Sequence, residues 1–116
     1  MAECQMSGLA LLWTTAERET VLNMVLPFAK DAQRDGGFSE VRLVAWGPSV
    51  RVMGRYGDLM SRVKELMAAG VTVAADRDCA EEYGAAETLE TMGVKVTAAG
   101  VWLSGMIRDG WKVLAL

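Results

Sequence analysis

At 116 residues, with Lys+Arg 12 against Asp+Glu 15 and a formal net charge of −3, the chain is long enough for one domain and one core and too short for two. It contains no histidine, which excludes His triads, His general bases and His metal sites, and no basic cluster, which argues against nucleic-acid binding. The longest apolar run, Leu9 to Trp13, is too short to span a bilayer, and the start MAECQMSG lacks the basic and apolar regions of a signal peptide, so no membrane partner is expected and a cytoplasmic protein is predicted, with free thiols at Cys4 and Cys79.

Residues 1–6 read as a loose tail on a single domain spanning 1–116. Gly8 to Trp13 is apolar at successive positions, as a central parallel strand is. Thr14 with Glu17 forms a capping-box pattern for the helix that follows. Val21, Val25, Phe28 and Ala32 make its buried stripe, while Leu22, Met24 and Leu26 extend the apolar surface beyond what one sheet covers. Pro27 predicts a kink or an irregular turn, and Gly36-Gly37 a stop.

Val41 to Trp46 is the second strand, broken by Gly47-Pro48-Ser49. A short helix is predicted around Val50, Val52 and Met53. Asp58 is the expected cap of a longer helix with Leu59, Val63, Leu66 and Met67 inward and Gly70 at its end. Val71 to Ala75 is β-branched and apolar, a third buried strand, and runs into a short helix ending at Tyr83-Gly84. Asp78 followed by Glu81 predicts that helix's start, which puts Cys79 at its first position. A helix from Ala85 to Met92, a strand from Val94 to Ala98, a helix with Trp102, Leu103, Met106 and Ile107, and a last apolar strand from Trp111 to Leu116 complete the chain. The alternation predicts an α/β protein, a parallel sheet with helices on both faces. The 52% hydrophobic content exceeds what such a core needs, so burial against further copies is expected.

Cys79 is the most reactive side chain available. At a helix start, unpaired N–H groups and the dipole lower a thiol pKa, favouring a nucleophile or persulfide carrier, while Asp78, Glu81 and Glu82 oppose the thiolate; the alternative is a small residue packing a helix turn. Asp76, at a strand's carboxyl end, either caps the helix or joins Asp78 and Glu81 around a cation. Trp46 and Gly47 either line a ligand pocket or cover the core at a tight turn. Arg51 and Arg55 either hold an anion or pair with Asp58. Thr14 and Thr15 face a helix start where a phosphate could sit. With no G-x-G-x-x-G and no P-loop, no nucleotide cofactor is expected.

The order of these pieces resembles the DsrE/DsrF-like (YchN-like) family. The resemblance is carried by VRLVAWGPSV, by the helix from Leu59 into Ala68-Ala69-Gly70-Val71, by VTVAADRDCAEEYG, by Gly93-Val94-Lys95-Val96 before Gly100, and by Gly110-Trp111. It implies a three-layer α/β/α sandwich on a five-stranded parallel sheet, and self-association into homotrimers or homohexamers. It also implies, for some members, persulfide transfer among sulfur-relay proteins on a cysteine ending the third strand. That cysteine falls at Asp76 here, with Cys79 one turn later, and Trp46 stands where many relatives carry histidine. The reading is therefore a DsrE-like homo-oligomer with Cys79 as candidate sulfur carrier and Thr14, Trp46, Gly47 and Asp76 as candidate ligand-binding residues. The alternative is a non-catalytic binding or assembly module that has lost the relay cysteine. No metal is expected.

Overall fold

Five of the apolar stretches become strands: β1 (Leu9–Trp13), β2 (Val41–Ala45), β3 (Thr72–Asp76), β4 (Lys95–Thr97) and β5 (Lys112–Ala115). A computed structural model describes residues 8–116; the expected tail and Cys4 lie outside the described residues. All four strand pairings are parallel, in the order β4-β3-β2-β1-β5. The helices are α1 (Arg18–Thr20), α2 (Leu26–Asp35), α3 (Pro48–Met53), α4 (Gly57–Ala68), α5 (Arg77–Glu82), α6 (Ala86–Met92) and α7 (Ala99–Arg108). The expected α/β/α sandwich on a five-stranded parallel sheet is present.

Its layers are unequal, and the topology explains why. From β1 to β4 every crossover steps to the next strand in one direction; the last returns past β1 to its far side. With right-handed crossovers, that reversal sends α7 to the face opposite α1–α6. On the thick face Leu11, Trp13, Leu43, Val73 and Val96 pack with Val21, Val25, Leu59 and Leu89 from the helices. On the thin face Ala10 and Val44 meet Ala99, Leu103 and Met106 of α7. Strand alternation places Arg42 and Lys95 on the thin face with Val44. Arg42 there stacks between two rings, 4.6 Å from Trp102 and 4.3 Å from Trp111, with Lys95 5.3 Å from Trp102. Glu40 holds the guanidinium at 2.8 Å. This ladder covers sheet surface that one helix leaves open.

Three local expectations are corrected. The cap of α1 is Glu17, which accepts from the Thr20 N–H at 2.9 Å; Thr14 is instead bound to the end of the chain, its N–H and hydroxyl both donating to the Leu116 carbonyl. The cap of α5 is Asp76 and not Asp78, so Cys79 is the third helical residue rather than the first. Asp58 lies within the first turn of α4, whose N-cap is Tyr56. The irregularity expected around Pro27 is a π-helical turn, Val21–Val25, in which the Leu26 N–H reaches back to Val21. Pro27 follows that turn directly inside a continuous helical run from Arg18 to Asp35, so the wider π-turn is where the helix accommodates a residue without an N–H.

Candidate functional site

The carboxyl ends of β2 and β3 meet the first turns of α3, α5 and α7. Between β3 and β4 the outgoing helices leave toward opposite faces, the position where open α/β sheets hold their ligands. Asp76 occupies it. One carboxylate oxygen accepts from the Cys79 N–H at 3.1 Å and the other from the Ala99 N–H at 3.1 Å, so this side chain caps α5 and ties down the start of α7. The residue is 7% exposed. Arg77 adds a third tie, donating to the Val96 carbonyl at 2.9 Å and securing β4.

Cys79 packs half-buried against the thick-face core. Burial pushes its thiol above the ordinary cysteine value; the Gly47 N–H at the sulfur pulls the other way, and the Asp76 carboxylate and the Asp78 charge add to the rise. The expected lowering by the helix start is thus reversed. The amide of Cys79 itself is already taken by Asp76, and removing the sulfur from water disfavours its charged form.

Gly47 has φ 77 and ψ −142, a backbone state open only to glycine, and its N–H is the group that offsets part of the rise in the Cys79 thiol. Trp46 lies across α7: a Cβ on Gly100 would come 3.1 Å from its ring. Sequence reasoning missed Ser49. It is fully buried, donates to the Trp13 carbonyl at 2.5 Å and accepts from the Trp46 N–H at 3.1 Å, locking the ends of β1 and β2 together. A small hydroxyl two residues past a turn glycine was the available signal. Gly47, Asp76 and Cys79 are therefore brought together, Trp46 reaches the same helix start as Asp76, and Thr14 is turned away toward β5.

The carboxylate cluster considered for a cation does not form: both Asp76 oxygens accept N–H groups, and among the described residues no group of three or more His, Cys, Asp or Glu is placed to hold a metal ion. No helix among the described residues is long and apolar enough to cross a membrane.

No protein-family model matches the chain, and no curated protein does. Solved structures do. A conserved protein of unknown function from Bacteroides thetaiotaomicron is 28% identical with a TM-score of 0.89, over 95% of each chain. A protein of unknown function from Methanobacterium thermoautotrophicum is 21% identical with a TM-score of 0.80, over 95% of this chain and 99% of the other. The YchN protein from E. coli is 18% identical with a TM-score of 0.73, over 96% of this chain and all of the other. The likeness is one of fold, and it makes the architecture YchN-like.

Proposed function

We propose that this chain is a DsrE/DsrF-like protein acting as a self-associating binding or assembly module, with no sulfur relay at neutral pH. The observation that carries this reading is the Asp76 carboxylate. It stands where the resemblance puts the relay cysteine, and both its oxygens are committed to the amides of Cys79 and Ala99. A group spent in this way closes the end of β3 instead of presenting a nucleophile there. Self-association as a trimer or hexamer is supported by β5, where Val113 and Leu114 face opposite sides of the sheet and are both exposed, and by Val101 and Ile107 on the outer side of α7.

A second reading has one observation in its favour. Cys79 is not sealed, and the Gly47 N–H at its sulfur would steady a thiolate or persulfide, so an accessory sulfur carrier remains the competing function. Incubation with a persulfide donor followed by mass analysis separates the two. The module reading expects no added sulfur at neutral pH, or addition confined to Cys4. A sulfur adduct that disappears in Cys79→Ser overturns it. Native mass measurement tests the assembly, and a single-chain mass at micromolar concentration refutes it.

A further inference from the structure

A cavity of about 330 Å³ opens between the end of α3 and the turn from α5 to α6, lined by Arg51, Gly54, Arg55, Tyr83, Gly84 and Ala85. Its floor exists because α3 and α6 approach closely: a Cβ on Gly54 would lie 2.9 Å from that of Ala85, so only glycine lets the two segments meet. Ala85 is buried beneath, while Arg55 and Tyr83 are exposed at the mouth.

The charged side chains that line this cavity are both cationic. Asp58, the partner expected for these arginines, is held instead by Arg18 through bonds of 3.0 and 2.6 Å. Among the described residues neither Arg51 nor Arg55 forms an ion pair or a side-chain hydrogen bond, although Glu81 and Glu82 precede Tyr83 on α5. The backbone N–H groups of Gly54, Arg55, Tyr83, Gly84 and Ala85 are all spent on carbonyls of the preceding turns. The side-chain donors among the lining residues are two guanidinium forks and one phenol.

Two planar forks match the several oxygens of a phosphoryl dianion, whereas a single carboxylate leaves one of them unused. The volume lies at the small end of ligand cavities, roughly 300–1,000 Å³, and the Tyr83 ring offers a face to an organic substituent. We propose that this cavity binds a small phosphate monoester, its phosphoryl group bridged by Arg51 and Arg55 and its organic part against Tyr83. The proposal shares no residue with the Asp76 end of the sheet and stands or falls apart from the reading above.

Amide NMR titration of the intact chain with phenyl phosphate, inorganic phosphate and phenol tests it. Phenyl phosphate is expected to shift the Gly54 and Gly84 amides saturably, inorganic phosphate to shift the same amides with weaker affinity, and phenol to leave them unmoved. Arg51→Ala and Arg55→Ala are each expected to weaken phenyl phosphate about tenfold or more. Arg55→Gln, at an exposed position, serves as a second variant whose fold is not at risk. No saturable shift, undiminished binding in the arginine variants, phenol binding as well as its phosphate ester, or inorganic phosphate binding as tightly as the ester would each overturn the proposal.

Discussion

On one face of the sheet six helices and a π-helical turn enclose Leu11, Trp13, Leu43 and Val73; on the other, α7 alone covers Ala10 and Val44, and Trp102, Arg42 and Trp111 supply the rest. The same strands serve both faces, so the difference comes from connectivity and not from strand composition. A single reversal in strand order sends one helix where the other face has six. The two most exposed large apolar side chains lie on that thin side, Val101 75% and Ile107 56% exposed on α7. The thick side is not wholly closed either, since Met24 and Phe28 are also exposed.

The sharpest way to break the comparison is to truncate one tryptophan on each face. Trp13 is fully buried and its indole N–H donates to the Thr15 carbonyl, so Trp13→Ala is expected to cost about 3–5 kcal/mol in urea unfolding. Trp102 is half-buried and stacked on cations, so Trp102→Ala should cost about 1–2 kcal/mol. Equal losses would mean that the thin face is as much a core as the thick one.

Asp76 joins the two faces, because α5 belongs to one and α7 to the other. Asp76→Ala leaves two N–H groups without their partner, at about 1–3 kcal/mol for each that stays buried. The same change removes a carboxylate that raises the Cys79 thiol, so alkylation of Cys79 should shift to lower pH. In the parent protein the raised thiol has the opposite consequence. The stability it lends is fully present below the unfolded thiol's value and declines as pH rises through the folded one. An alkylation profile identical in parent and variant would remove Asp76 from that account.

Charging the thin side's outer surface should leave the protomer intact and weaken the self-association proposed above. Val101→Glu is expected to lower the mass in solution to that of a single chain, while changing protomer stability by no more than about 0.5 kcal/mol. An unchanged assembly mass would shift attention to β5 or to Met24 and Phe28. The smallest effect belongs to the thick side's rim, where Arg18 holds the Asp58 carboxyl down to about 2. Stability from that pair is present above the ordinary carboxylate range and is lost as pH falls toward 2. Both partners are exposed, so added salt should erase most of the acid sensitivity seen on comparing the parent with Arg18→Gln.

Much of the architecture was legible because its signals are local. Leu9 to Trp13 reads as a strand from its own residues, and the α4 stripe of Leu59, Val63 and Leu66 from its own spacing. The candidate site was less legible. Asp76 and Asp78 are equally plausible caps to a reader of nearby residues, and the choice goes to Asp76, whose second oxygen also meets an N–H from Ala99, 23 positions away. Likewise Asp58 is offered Arg51 and Arg55 by proximity in the chain, yet Arg18, 40 positions away, takes it and leaves the other two facing a cavity.

The sequence by itself determined the alternation of strands and helices, the glycine turns and the absence of histidine chemistry, since periodicity, φ freedom and residue type act within a few positions. Only the tertiary structure decided that α7 stands alone on its face, that Asp76 closes the end of β3, and that burial raises the Cys79 thiol where a helix start alone would lower it. Those outcomes depend on crossover direction and on partners distant in the chain, and pairing and desolvation are properties of the packed molecule.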